Sequence, residues 1–414
     1  MLRAFERTYI RVFRAYPFLL GLAGVVLLAE FAYASINNVI VSYWVSHDGA
    51  RLGVDPLREG WVLGSTAATF LIVETFLRLP AGALSDRWGR RVFIVGAPLL
   101  TCFSPVLLAG VTHYWAFYPL RAVDGLGAAA LWPSVFALVG DRVARDSRAH
   151  AMSVINMIYI GGLALGLWGS NLVIGLTRSV APALYVCGAM LAAAGTLALL
   201  TVPSGAAEAA GADPQDDTVA ARPTTPWRTT AMLVVTAGQT FSVVILAPYL
   251  EAYVTRDLGI PAHHLGLIFV IPGAAVLLTA MPFGRLGDRV GKGLLAKVGM
   301  ASGALTLWVM AGVLLTVPEK CGLLALIGLA TPLALSYAAS MPPWFALLTE
   351  LAPRRSRGFA LAYFGTAHGV GASVAVLLAG RLLWDRLGHE SIFVGAAAGM
   401  TLCALLAAVA VRSD

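Results

Sequence analysis

Long apolar runs, broken by short clusters of charge, set the plan of this chain. Windows of about 20 residues with little or no charge are long enough to cross a bilayer as helices. They fall at 17–45, 61–81, 92–111, 115–139, 150–176, 180–202, 229–253, 263–283, 294–316, 321–349, 358–380 and 390–411. Charged turns separate most of these twelve spans. The gap after 150–176 is short and rests on Thr177-Arg178-Ser179 and Pro182. Backbone inside hydrocarbon must satisfy its own hydrogen bonds, which a helix does within one segment. The pattern therefore predicts an all-α membrane protein with twelve transmembrane helices.

The polar interruptions repeat. Gly82-Ala83-Leu84-Ser85-Asp86-Arg87-Trp88-Gly89-Arg90-Arg91 returns 202 positions later as Gly284-Arg285-Leu286-Gly287-Asp288-Arg289-Val290-Gly291-Lys292-Gly293. At an offset of 209, Pro133 with Phe136-Ala137-Leu138 matches Pro342 with Phe345-Ala346-Leu347, and Ser147-Arg148 matches Ser356-Arg357. Leu184-Tyr185-Val186 resembles Ile392-Phe393-Val394 at 208. Six spans per half, an even number, give both copies the same orientation, so the repeat is parallel. The expected organisation is two pseudo-symmetric six-helix bundles, 1–203 and 228–414. Between them, 204–227 is rich in Ala, Gly, Pro, Thr and Asp without apolar period and reads as a flexible cytoplasmic linker.

Composition agrees: 58% of residues are hydrophobic, only 12% are charged, and the mean hydropathy is +0.79. Cys102, Cys187, Cys321 and Cys403 lie scattered in or beside apolar runs, with neither metal-ligand spacing nor a disulfide framework. No metal triad and no nucleophile signature occurs, so neither an enzyme nor a bound cofactor is expected. The net charge of +7 is unevenly placed. Twenty of the 29 basic residues fall at the N-terminus, in the turns after even-numbered spans, in the linker and at Arg412. Basic residues concentrate on the cytoplasmic side, so both termini are expected there, with the protein in a bacterial inner membrane. The charge reports topology and anionic-lipid contact and not nucleic-acid binding. Ala32-Tyr33-Ala34-Ser35 imitates a signal-peptidase site, but the apolar run continues past it and reads as a retained helix.

These motifs resemble the major facilitator superfamily over essentially the whole chain. The repeated turn is similar to the family's Gly-x-Leu-x-Asp-Arg-x-Gly-Arg-Arg signature between the second and third spans, with its weaker copy between the eighth and ninth. Arg121-Ala122-Val123-Asp124-Gly125-Leu126-Gly127 resembles the family's Arg-x-x-x-Gly-x-Gly motif in the fourth span. The resemblance implies two bundles around a central cavity that opens alternately to each side. It also implies a conformational latch of Gly82, Asp86, Arg87, Gly89, Arg90 and Arg91, repeated as Gly284, Asp288, Arg289 and Gly291. Three features depart from the drug:proton antiporters of that family. The fifth span carries Gly162-x-x-x-Gly166-Leu167-Trp168-Gly169 without a Gly-Pro step. Asp124 stands where an uncharged side chain is usual, and the second turn ends Lys292-Gly293.

Charges inside spans each cost about 2.5–3.5 kcal/mol on insertion scales and so mark function by default. They are Glu30, Glu74, Arg78, Arg121, Asp124 and Glu251. Glu74 and Arg78, four apart, read as an intrahelical pair. Arg121 and Asp124 align with Ala330 and Leu333 in the second half, so the fold alone does not demand charge there. With Glu30, they form the expected proton-coupling group. Polar and aromatic residues at mid-span give the expected cavity lining: Asn37, Asn38, Asn156, Tyr159, Trp168, Gln239, Thr240, Tyr249, Tyr337, Trp344 and His368. With few fixed charges, this set fits neutral, amphipathic or weakly cationic solutes. The sequence thus points to a monomeric secondary transporter in a lipid bilayer, exporting drug-like or lipophilic small molecules on the proton gradient. Uptake of a sugar, amino acid or other metabolite is the alternative, and a non-transporting scaffold or sensor is the alternative from another class.

Overall fold

A computed structural model describes residues 13–204, 226–318, 321–351 and 357–410. Among them there is no strand. Twelve helices are long and apolar enough to cross a membrane: α1 Phe18–Asp48, α2 Pro56–Trp88, α3 Arg90–Ala109, α4 Tyr114–Arg142, α5 His150–Thr177, α6 Ala181–Thr201, α7 Trp227–Asp257, α8 Ala262–Thr279, α9 Lys292–Thr316, α10 Leu323–Trp344, α11 Phe364–Leu387 and α12 Ser391–Ala410. Each expected window lies on one of these helices. The short gap after α5 is closed by Arg178, whose left-handed φ of 52° ends the helix.

Helix pairing repeats with a shift of six. In the first half α1 lies against α5 and α6, while α3 lies against α4 and α6. In the second, α7 lies against α11 and α12, and α9 against α10 and α12. These four pairings are thus duplicated, whereas α8 lies against α10 in the second half with no comparable α2–α4 packing among the described residues of the first.

The repeated turn keeps its conformation as well. Gly89 has φ 93° and ψ 138°, Gly291 has φ 93° and ψ 131°, and each immediately precedes the next helix. Only glycine adopts such a φ at little cost. Small residues serve a different purpose on α5, where a Cβ on Gly166 would collide with the Phe31 carbonyl oxygen. The Gly162–Gly169 face therefore lets α5 approach the backbone of α1, the usual way helices associate in lipid.

Among the described residues, a π turn interrupts α1 at Ile36–Ile40, and π turns end α7 at Tyr253–Asp257 and α11 at Ala379–Leu387. Contacts divide the chain into two compact units, 1–40 with 73–214 and 41–72 with 215–414. The division crosses α1 where its π turn ends and crosses α2 near its middle. The distal end of α1, from Val41, and the distal half of α2, both away from the repeated charged turns, therefore belong to the second unit. Most of the linker expected at 204–227 lies outside the described residues.

Candidate functional site

Within the first unit, the charges of α4 are sealed in protein. Arg121 is 1% exposed and Asp124 0%, and their Nη1 and Oδ2 are 2.5 Å apart. The second guanidinium nitrogen donates to Oδ1 of Asn37, which stands in the π turn of α1. Ser104 lies beside the aspartate but donates to the Leu120 carbonyl, and Asp124 Oδ1 has no hydrogen-bond partner. The pair is thus satisfied on the arginine side and short of a donor on the carboxylate side. Gly127, one turn on, lets α4 close on Thr101 of α3 and Tyr33 of α1, since a Cβ there would collide with the Thr101 side chain and lie 2.7 Å from the Tyr33 hydroxyl.

Glu30 belongs to a neighbouring group. It is 4% exposed, and the Tyr159 hydroxyl lies beside its carboxylate. Its charged neighbour is Glu74, which is ion-paired with Arg78 one turn along α2. The structure therefore sets Arg121, Asp124 and Asn37 together, and separately Glu30, Tyr159, Glu74 and Arg78. Trp132 and Tyr33 join the groups through edge-to-face contacts, Tyr33–Trp132 at 6.4 Å and Trp132–Tyr159 at 5.1 Å. The Thr101 hydroxyl donates to the Ala97 carbonyl, so the Tyr33 O–H, 3.0 Å away, donates to Thr101.

The other polar positions sort by what their hydrogen bonds do. Asn38 Nδ2 donates to the Ala34 carbonyl of its own helix, while Asn156 and Trp168 are exposed. In the second unit, Trp344 Nε1 donates to Thr236, and Gln239 Nε2 donates to Ser340. The Thr240 hydroxyl gives its proton to the Thr236 carbonyl, leaving its oxygen to accept from His368 Nδ1 at 2.8 Å. That fixes the histidine proton on Nδ1. Trp344, Gln239 and Thr240 are fully buried and tie α7 to α10 and α11, while Tyr337 is 36% exposed. Sequence position alone does not separate such tethering groups from ligand-facing ones.

At the repeated turn, Arg90 is the hub. It pairs with Asp86 and with Asp141 at 3.2 Å, and donates to the Ser85 hydroxyl at 2.7 Å. Arg91 donates to the Leu199 carbonyl at 2.7 Å. Asp86, on α2, pairs across the turn with the first residue of α3 and does not cap that helix. Asp141, at the end of α4, escapes a reading by local pattern because it lies 51 residues from its partner. Gly82 stands 4.0 Å, by its Cβ position, from Pro133; Arg87 and Arg289 are exposed. Gly284 and Asp288 lie in the helix that continues α8, and their side-chain surroundings fall outside the described residues.

A second constellation holds the distal ends together inside the second unit. The Asp385 carboxylate, on α11, accepts from the Gly60 and Trp61 amides of α2 at 2.8 and 3.0 Å. It supplies the acceptors that a helix N-terminus lacks and lies at the positive end of its dipole. Arg256 on α7 donates to Glu59 on α2 at 2.7 Å. Tyr249 donates to the Val376 carbonyl at 2.6 Å, and Ser42 on α1 to the Pro248 carbonyl at 2.7 Å. None of these contacts is signalled by local spacing; Gly60 and Asp385 are 325 residues apart. Among the described residues no group of three His, Cys, Asp or Glu is placed to hold a metal ion.

Known proteins place this architecture. Among solved structures, the inward-open xylose transporter XylE from E. coli superposes with a TM-score of 0.75 at 17% identity, covering 96% of this chain and 97% of that one. The nucleoside transporter NupG gives a TM-score of 0.72 at 13% identity, covering 96% of this chain and 100% of that one. At such identities the likeness concerns the fold. In sequence, the multidrug resistance protein MdtG of Serratia proteamaculans is 29% identical over 222 residues, 51% of this chain and 52% of that protein. MdtG of Enterobacter lignolyticus is 25% identical over 319 residues, 76% and 73%. The chain thus spans about half the length of several of the relatives it matches. The Major Facilitator Superfamily profile matches residues 22–236 and again 232–414, one copy on each half of the duplicated fold. On that match, and on the duplicated turn and helix pairing, the chain belongs to the major facilitator superfamily.

Proposed function

We propose that this protein is a secondary transporter that exports drug-like or lipophilic small molecules in exchange for protons, by alternating access. The observation that carries the reading is the buried pair of α4, with Asp124 0% exposed and one carboxylate oxygen without a donor. Two buried charges are expensive unless their bonds are complete, and here they are incomplete on the acid. A proton on Asp124 would supply the missing hydrogen and release part of its hold on Arg121, whose other partner, Asn37, lies on α1. Proton loading on α4 would thereby change what α4 holds of α1. The second half offers no counterpart, since Ala330 and Leu333 stand at the aligned positions.

Glu30, Tyr159, Glu74 and Arg78 form a companion charge group beside an aromatic wall, suited to an amphipathic or weakly cationic solute. The names of the MdtG relatives support export of drug-like molecules. The basic turns support cytoplasmic termini in a bacterial inner membrane. The test is transport in proteoliposomes under an imposed pH gradient, on compounds first selected by thermal shift. Asp124→Asn is expected to abolish gradient-driven transport while binding of the selected compounds persists. Transport unchanged in both Asp124→Asn and Glu30→Gln would overturn the coupling assignment, and binding restricted to hydrophilic sugars would overturn the exporter reading.

A further inference from the structure

Glu251, near the distal end of α7, belongs to neither charge group of the first unit, and its hydrogen bonding is unusual. The residue is 1% exposed. Its Oε2 has no hydrogen-bond partner. Its Oε1 lies 3.3 Å from the Thr255 hydroxyl, but that hydroxyl is closer to the Glu251 backbone carbonyl, at 2.8 Å, and has only one proton to give. The other neighbouring hydroxyl, Ser42 of α1, sends its proton to the Pro248 carbonyl at 2.7 Å. The charged groups that act on Glu251 are Arg256 on its own helix and Glu59 at the start of α2. Arg256 is taken by Glu59 at 2.7 Å and also lies 3.8 Å from Asp257.

A bare carboxylate at this position would find no donor of its own. A neutral carboxyl has what the surroundings lack: an O–H to give, with the Ser42 oxygen, its own proton already committed, left as an acceptor. We propose that Glu251 is a second proton-binding site, occupied while the distal end of α1 and the distal half of α2 are docked on α7 and α11. When they part, the carboxyl O–H bond breaks and the proton passes to water. The Ser42 hydroxyl, freed from the Pro248 carbonyl, no longer faces the acid. The opening step rests on the alternating-access reading above; the occupied site does not.

The test is infrared difference spectroscopy on the full chain in lipid nanodiscs, following the C=O stretch of protonated carboxyl groups across a pH titration. Wild type, Glu30→Gln and Asp124→Asn are expected to keep a band that Glu251→Gln loses and Glu251→Asp shifts. Ser42→Ala, which removes the acceptor and leaves the acid, is expected to shift the same band. A spectrum unaltered by Glu251→Gln overturns the proposal. Should that variant fail to fold, an unaltered spectrum in both Glu251→Asp and Ser42→Ala overturns it equally.

A second readout follows opening. In a background lacking the four native cysteines, thiol labelling of Thr66→Cys, buried on distal α2, is expected to rise with pH. Added Glu251→Gln should reduce that dependence to the one set by thiol ionisation alone, measured on the denatured protein, and a retained excess counts against the site. The two readings fail separately. Transport indifferent to the pH gradient, with the band still lost in Glu251→Gln, removes proton coupling and leaves the site. Gradient-driven transport with an unaltered Glu251→Gln spectrum does the reverse.

Discussion

Arg121 is held on two sides by unlike partners, Asp124 on its own helix and Asn37 across the helix interface. Removing one member of a buried pair leaves the other as an uncompensated charge, which costs about 3–5 kcal/mol. Arg121→Ala is therefore expected to lower the unfolding temperature in detergent markedly, while the neutral pair Arg121→Gln with Asp124→Asn recovers most of the loss. Equal melting points for the single and double variants would refute the electrostatic account. The three-residue spacing of Arg121 and Asp124 was legible in the sequence because neighbours on a helix surface follow from its pitch. Asn37 as their third member was not, because its side chain reaches α4 from a π turn that no local composition announces. The grouping of Glu30 with Tyr159 and Glu74 escaped for a related reason. Which carboxylate meets which neighbour depends on how far α5 sinks toward α1, and that distance is set by Gly166 and its neighbours.

At the scale of elements, the spans were readable because a bilayer demands about 20 apolar residues per helix regardless of context. The turn was readable because its glycines are needed for backbone conformation. Gly89 and Gly166 nevertheless do different work. Around Gly89 nothing lies within 4 Å of an added Cβ, so Gly89→Ala meets only the strain of a positive φ with extended ψ, about 1–3 kcal/mol. Gly291→Ala, at the same φ and also in open space, is expected to cost the same. Gly166→Ala instead pushes α5 off the α1 backbone, an overpacking cost of about 1–3 kcal/mol. It should also disturb the Ser35 hydroxyl bond to the Gly166 carbonyl. Thermal unfolding checks the first two, since unequal losses for Gly89→Ala and Gly291→Ala would refute the shared turn conformation. Transport assays separate them further, since only Gly166→Ala alters the surroundings of Glu30. The Asp385 cap on α2 shows what element-level reading misses: the N-terminus of α2 was predictable, but the acceptor that completes it comes from α11.

For the whole molecule, duplication accounts for most of the pairing order of both halves, yet the compact units divide not only within the middle linker but also at 40/41 and 72/73. The distal clasp of Asp385, Glu59, Arg256, Tyr249 and Ser42 draws residues 41–72 into the second unit. Asp385→Ala removes the acceptor of two α2 amides and is expected to speed thiol labelling of Thr66→Cys, with Arg256→Ala acting in the same direction. Labelling at the unmodified rate in both would show that the clasp does not restrain α2. The repeat predicts two equivalent bundles, but it carries no information about contacts made by only one copy.

The end of the π turn at Ile40 is also where α1 passes from one compact unit to the other. A rod fixed at both ends flexes where its internal bracing is slackest, and i→i+5 bonding is the slack stretch of this rod. Asn37 sits inside that stretch with its amide oxygen on Arg121. In the proposed transport cycle, bending of α1 here would make the helix a strain gauge for the Arg121–Asp124 pair, which Ala330 and Leu333 do not copy in the second half.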